Sequence, residues 1–357
     1  MNASTQLQAF GQSLWLDNIT RELLSSGTLQ RYCKDFSITG LTSNPTIFNQ
    51  AIGKTDAYDQ AIQEKVSQGK AGEALFFELA IEDLKQAAAL FRPAYEASDG
   101  IDGWVSLEVS PLLADDTAGT IAEAKRLHAL AQCPNLFIKI PGTAAGIPAI
   151  EEAILAGVPV NVTLLFSRGQ YVAAADAYSR GIQRRIAADL DPKVSSVASI
   201  FVSRWDKAVA GKVPEALNNR LGVAVSLQIY RTYRERLASD EAQKLQRSGA
   251  LPQRLLWAST GTKDPKISDT YYIEALAAPH TINTMPEKTL LAFAQHGELH
   301  GVMQEDGGNA ETLLDEFAEA GVDVLALADQ LQAEGAESFR ESWSELLAAI
   351  AEKSRSK

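Results

Sequence analysis

The stretch Asn135-Leu136-Phe137-Ile138-Lys139-Ile140-Pro141-Gly142 is a short apolar run closed by a Pro-Gly pair. A helical pattern follows over Ala145–Ala156, and then a second apolar, β-branched run over Pro159–Leu165. A buried strand, a helix and another buried strand in succession read as a parallel βαβ unit. The same alternation extends in both directions. Candidate strands are Ser13–Asp17, Phe36–Leu41, Trp104–Val109, Leu136–Ile140, Pro159–Leu165, Val197–Val202, Leu255–Ser259 and Thr281–Thr284. Helical patterns separate most of them; Thr117–Leu130, for example, carries Ile121, Ala124, Leu127 and Leu130 on one stripe. Eight strands each followed by helical sequence predict an α/β fold, a (β/α)8 barrel of the TIM type. A doubly wound open sheet is the alternative, weakened because no GxGxxG or P-loop follows the first strand.

Two connections exceed the usual length. Asn49–Ser98, with a helical stretch at Ala74–Leu90, and Arg204–Arg254 both read as helical insertions on the barrel. From Pro286 onward the pattern is helical throughout, over Glu287–Gln295, Ala310–Glu319, Val324–Glu334 and Glu337–Glu352. No Pro/Ser-rich linker precedes this tail. The expectation is therefore a single domain over 1–357: a barrel over about 1–290 and a C-terminal helical extension over about 291–357, packed outside the barrel.

Of the 357 residues 46% are hydrophobic and 22% charged, a globular balance. The start, Met1-Asn2-Ala3-Ser4-Thr5-Gln6, lacks a basic n-region and an apolar h-region, and no later apolar run approaches a membrane span. A cytoplasmic protein without membrane partners is expected. Cys33 and Cys133 form no CxxC pattern, and His128, His280, His296 and His300 suggest no three-ligand metal site with the strand-end carboxylates. The formal charge is −12, but Glu298–Lys357 holds 14 acidic and 4 basic side chains, so −10 of it lies in the tail. That region reads as a solvated acidic surface, with no basic footprint for nucleic acid.

Functional groups of a (β/α)8 barrel cluster at the C-terminal ends of its strands. Lys139 ends the fourth. A lysine in a water-poor strand loses the solvation that favours its charged form, which frees a neutral amine to attack a carbonyl. The plainer alternative is a lysine with a buried stem and a snorkelling head. Asp17 ends the first strand, Asn44 follows the second, and Glu108 closes the third with Ser106 and Ser110 at its parity. Asn161 and Thr163 share a face of the fifth, Ser199 and Phe201 a face of the sixth, and Ser259 ends the seventh. Taken singly, Asp17 reads as a cap for Asn18-Ile19-Thr20, as Asp115 or Asp116 does for Thr117. Glu108, flanked by Leu107 and Val109, needs a partner if buried, and an ion pair with Lys139 satisfies both.

The wording of the strands goes further. Trp15-Leu16-Asp17-Asn18, Gly40-Leu41-Thr42-Ser43-Asn44-Pro45-Thr46-Ile47-Phe48, Ser106-Leu107-Glu108-Val109, Ile138-Lys139-Ile140-Pro141, Asn161-Val162-Thr163-Leu164-Leu165-Phe166-Ser167 and Trp257-Ala258-Ser259-Thr260-Gly261-Thr262-Lys263 together resemble transaldolase. The resemblance runs from the first strand through Asn283-Thr284-Met285-Pro286. It implies an enzyme of the pentose phosphate pathway, working as a monomer or homodimer on sugar phosphates without metal or organic cofactor. The enzyme would move a dihydroxyacetone unit from sedoheptulose 7-phosphate or fructose 6-phosphate to glyceraldehyde 3-phosphate or erythrose 4-phosphate.

By the same resemblance Lys139 forms the imine with the donor's C2 carbonyl, and Asp17 takes and returns the C4 hydroxyl proton. Glu108 shuttles protons during imine formation through a water that Thr163 positions. Asn44 and Asn161 hold the dihydroxyacetone hydroxyls, with Ser199 placed similarly, and Arg204 binds phosphate. The chain departs from the pattern after Ser259. Many family members carry arginine two positions on, whereas this chain has Gly261, with Lys263 beyond it as a substitute charge. Related aldolases that release free dihydroxyacetone typically carry Gln and Tyr where this chain has Glu108 and Phe201.

Overall fold

The computed structural model describes Asn2–Arg355. Its strands are β1 (Ser13–Asp17), β2 (Ile38–Thr42), β3 (Val105–Glu108), β4 (Leu136–Pro141), β5 (Val160–Leu165), β6 (Ser196–Phe201), β7 (Arg254–Ala258) and β8 (Thr281–Met285). The ladder runs β2-β1-β8-β7-β6-β5-β4-β3, with every pair parallel. Its two end strands meet where Leu41 N–H donates to Trp104 O at 3.0 Å, which closes the barrel. Gly40 lies at this seam. A Cβ there would stand 2.6 Å from Trp104 O and 2.7 Å from the Trp15 indole, so only glycine lets the two edges approach.

The expected strand positions are recovered to within a few residues, with one informative shift. Phe36 belongs to the helix Thr28–Phe36, and Ser37, left-handed at φ 57°, returns its N–H to Tyr32 O. The Tyr32 and Phe36 rings pack one turn apart at 5.5 Å, and this contact favours helix over the strand that an aromatic residue suggests.

Alternation along the strands places Trp15 on the same face as Asp17, and Phe137 on the same face as Lys139. Trp104 stacks on Phe137 at 4.0 Å, with Trp15 at 6.3 Å, so an aromatic floor underlies the polar strand ends. Further toward the N-terminal end, Arg254 donates to Ile101 O, Ser13 Oγ and Thr281 O at 2.8–3.0 Å. Asp102 accepts there from Ser13 Oγ, Trp15 Nε1 and Thr39 Oγ1. These bonds seal one end of the barrel and leave the C-terminal mouth for chemistry.

Both long connections are helical, as expected: Pro45–Gly53, Asp59–Ser67 and Gly72–Ala97 after β2, and Ser203–Val209, Leu221–Leu237 and Asp240–Arg247 after β6. The tail departs from expectation. After Glu287–His296 and Ala310–Glu319 it forms one unbroken helix, Val324–Lys353, where two were read. Asp323 caps its start, accepting from Ala326 N. The Gly335-Ala336 pair that suggests a break is buried inside the helix. This helix packs over the strand ends. Its apolar stripe, Leu331, Phe339, Trp343 and Leu346, is buried, and Gln332 Nε2 donates to Gly142 O and Leu164 O at the ends of β4 and β5. Trp343 Nε1 donates to Glu73 Oε1 at 2.9 Å, and its ring meets Phe76 edge-on. The helix therefore runs across the C-terminal mouth. No helix among the described residues is long and apolar enough to cross a membrane.

Candidate active site

Strand register sets the site. Glu108 on β3 pairs with Lys139 on β4, Lys139 with Asn161 on β5, Pro141 with Thr163, and, on the facing wall, Asp17 on β1 with Thr42 on β2. The Glu108–Lys139 register brings Glu108 Oε2 to 2.9 Å from Lys139 Nζ, with both side chains about 95% buried. The ion pair anticipated from sequence is present. Lys139 also donates to Ser43 O at 2.9 Å, and no other protein group donates to the Glu108 oxygens, which leaves them lone pairs with which to accept. Burial pushes the Glu108 carboxyl above its ordinary value, against the pull of Lys139.

Asp17 does not cap the helix that follows it. Thr20 does, accepting from Leu23 N, while Asp17 Oδ1 accepts from Thr42 Oγ1 at 2.7 Å. Burial raises its carboxyl too, opposed by the Thr42 bond and then by Lys139 and Lys263. Asp116, by contrast, is the cap of Thr117–Ala131. Two carboxyls biased toward holding protons thus share a site with a buried amine, the arrangement that general acid–base chemistry needs near neutral pH.

A cavity of about 250 Å³ opens at the strand ends and is lined by Asp17, Asn44, Lys139, Thr163, Ser199, Phe201, Arg204, Ser259 and Lys263. Of the residues given roles by the resemblance, Glu108 and Asn161 do not line it. Glu108 is reached through Lys139. Asn161 is fully buried, donating to Ser106 Oγ at 3.1 Å and accepting from Ser199 Oγ at 2.7 Å, so it orients the serine that does face the cavity. Asn44 lines the cavity and also caps Pro45–Gly53, its Oδ1 accepting from Ile47 N at 3.0 Å; its NH2 faces no bonded partner in the described protein. Ser259, left-handed at φ 55°, lies 3.0 Å from Ser203 Oγ.

The cationic end is formed by Arg204 and Lys263. Arg204 stacks over Phe201 at 5.1 Å and lies below its ordinary value through burial, with Glu334 opposing. Lys263 is lowered by burial and then by the repulsion of Arg204 and Lys207, with Asp17 opposing. The two cations are partly buried and repel one another, an arrangement that a bound anion would relieve. Gly261 lines the same wall, and a Cβ there would meet Pro286 Cγ at 3.3 Å.

Sequence reading missed Phe339, Thr42 and Thr284. Phe339, from the last helix, faces the cavity at 5.9 Å from Lys139 Nζ and 6.0 Å from Arg204 Cζ. Thr284 Oγ1 lies 2.7 Å from Thr42 Oγ1 and extends the chain of hydroxyls behind Asp17. Parity offered a signal for both threonines, since Thr42 ends β2 and Thr284 lies late in β8. No group of three or more His, Cys, Asp or Glu side chains among the described residues is gathered closely enough to hold a metal ion. A second cavity, of about 300 Å³, lies on the barrel's flank among Tyr171, Tyr178 and Tyr233 and contains none of the strand-end residues.

The family model described as transaldolase/fructose-6-phosphate aldolase matches residues 14–350. The chain belongs to the transaldolase/fructose-6-phosphate aldolase family. Its curated relatives include proteins named transaldolase from Parafrankia sp., 42% identical over 98% of this chain and 97% of the relative. Others come from Acidothermus cellulolyticus, 43% identical over 97% and 95%, and Mycolicibacterium smegmatis, 42% over 96% and 95%. The eight-stranded barrel and its strand-end site therefore belong to a transaldolase-family enzyme.

Proposed function

We propose that the protein is a transaldolase that carries a dihydroxyacetone unit as an imine on Lys139, taking it from sedoheptulose 7-phosphate or fructose 6-phosphate and giving it to glyceraldehyde 3-phosphate or erythrose 4-phosphate. The observation that carries this reading is the buried amine of Lys139, 2.9 Å from the Glu108 carboxylate at the head of a cavity whose far end is cationic.

The neutral amine attacks the donor's C2 carbonyl, its surplus proton passing to Glu108. Glu108 returns a proton to the carbinolamine hydroxyl, which leaves as water and gives the protonated imine. Glu108 and Thr163 Oγ1 are buried with free accepting or donating capacity, which suits them to hold that water. Asp17 then removes the C4 hydroxyl proton. The C3–C4 bond breaks, the aldose leaves with its aldehyde, and the electron pair is taken up by the imine as an enamine. The enamine carbon attacks the acceptor's aldehyde, Asp17 protonates the new alkoxide, and hydrolysis of the imine frees the lengthened ketose. Arg204 and Lys263 hold the phosphate, and Asn44 and Ser199 hold the hydroxyls, with Asn161 orienting Ser199.

Fructose-6-phosphate aldolase activity is the competing reading within the family. Glu108 and Phe201 favour transfer, since related aldolases carry Gln and Tyr at these positions. Fructose 6-phosphate should give sedoheptulose 7-phosphate and glyceraldehyde 3-phosphate when erythrose 4-phosphate is supplied, and little free dihydroxyacetone without it. Release of dihydroxyacetone at the same rate with and without acceptor would overturn the transfer reading.

A further inference from the structure

β5 breaks its own ladder immediately after Thr163. Leu164 is fully buried and left-handed at φ 58°, a region disfavoured for a residue with a Cβ. Pairing with β6 shifts between Val162 and Leu165. Such an irregularity turns a backbone carbonyl out of the ladder, and a buried carbonyl needs a donor. The donor comes from the last helix. Gln332 Nε2 gives one hydrogen bond to Leu164 O at 2.9 Å and another to Gly142 O at 3.0 Å. Gly142 N–H in turn donates to Thr163 O at 2.8 Å. One amide, 168 residues from Leu164 and 190 from Gly142 in sequence, thus ties together the ends of the two strands that carry Lys139 and Thr163. Gly335 permits the approach, since a Cβ there would stand 2.9 Å from Leu164 Cδ2 and 3.0 Å from Arg204 Nη1.

Thr163 depends on this tie. Its hydroxyl is buried and makes no hydrogen bond to the described protein, so no polar partner holds it, and where it points is set by the backbone and by the packing around this β-branched side chain. That backbone is the flank of the left-handed turn that Gln332 holds. We propose that Gln332 is a positioning residue for imine formation and hydrolysis: by holding the Leu164 and Gly142 carbonyls it keeps Thr163 Oγ1 aimed into the cavity beside Lys139. The last helix thereby enters the reaction without touching substrate through this residue. The proposal rests on the Schiff-base reading above.

Two substitutions of similar length test it. Gln332→Glu has no N–H to donate while ionised, and Gln332→Met has no polar atom able to donate at any pH. Single-turnover borohydride trapping with fructose 6-phosphate, binding of fructose 6-phosphate and thermal melting are measured for both variants and for wild type. Adduct formation should slow roughly tenfold, the net size of the two lost hydrogen bonds, while fructose 6-phosphate affinity stays within about twofold. The rate of Gln332→Glu relative to wild type should recover as pH falls and its carboxyl regains an O–H, whereas Gln332→Met should show no recovery. Wild type trapping normally while both variants trap at the wild-type rate would overturn the positioning role. So would a fall in adduct formation matched by an equal loss of binding and a lowered melting temperature. A wild-type protein that traps no adduct would instead overturn the Schiff-base reading.

Discussion

Glu108 and Lys139 are ladder partners on adjacent strands, and the register that pairs them holds their charges 2.9 Å apart in the barrel interior. A buried ion pair is weak evidence for stability, because desolvation offsets most of its attraction. Under the proposed Schiff-base mechanism its value is chemical. An amine must be neutral to attack a carbonyl, and a carboxylate whose proton affinity is raised by burial is placed to take the proton and return it.

The two carboxyls are expected to fail differently. Asp17→Asn should still form the imine, which needs only the amine and its shuttle, but should stall before C–C cleavage and accumulate intact ketose on the enzyme. Glu108→Gln should slow imine formation itself. Each loss should be about 10²–10⁴-fold. Single-turnover trapping separates them, and rapid aldose release from Asp17→Asn or a normal adduct rate in Glu108→Gln would show the roles to be misassigned.

Asp17 should also cost the fold stability at neutral pH. Burial raises its carboxyl above the unfolded value, so the native state binds its proton more tightly, and stability falls as pH rises from the unfolded value of about 3.9 through the raised one. Asp17→Asn, which keeps an oxygen for the Thr42 bond, should melt higher than wild type at neutral pH. The difference should shrink on acidification. A melting temperature below wild type across the whole range would contradict this reading of its surroundings.

Asp17, Glu108 and Lys139 were legible because each is a polar intrusion at the end of an apolar run, a local anomaly with a known direction in space once eight strands are counted. Phe339 and Gln332 carried no such signal. On an amphipathic helix they read as ordinary stripe and surface, and their meaning comes from a contact between the tail and strands more than 150 residues earlier. Gly335 misled for the same reason, since a glycine that permits close packing looks like one that ends a helix. Asn44 shows a further limit, because its cap and its cavity face are one side chain serving both at once.

Lys263 should give the phosphate site an alkaline limit. Its lowered proton affinity means the ammonium is lost sooner as pH rises, and the grip on a dianion is lost with it. KM for fructose 6-phosphate should therefore climb at a pH below the ordinary lysine range of about 10.4. Lys263→Arg should flatten that climb, because guanidinium stays charged. Identical KM profiles in the two proteins would remove Lys263 from the phosphate site.

Phe201 packs 5.5 Å from Phe166 and beneath Arg204, an apolar wall of the cavity. A transferase must keep its enamine from water and acidic protons until the acceptor arrives. A phenol at this position could order a water beside it. Phe201→Tyr should raise free dihydroxyacetone from fructose 6-phosphate alone and lower transfer to erythrose 4-phosphate. If the ring is only packing, both reactions should fall together, and an unchanged ratio of free to transferred product would count against shielding.

In the proposed mechanism Lys139 carries the substrate. Incubation with fructose 6-phosphate and borohydride, followed by proteolysis and peptide mapping, tests it in one measurement. A reduced adduct is expected on Lys139 and on no other lysine, absent from Lys139→Ala although that variant still binds the sugar phosphate through Arg204. An adduct mapped to another lysine such as Lys263, or an undiminished rate of adduct formation in Lys139→Ala, would contradict it.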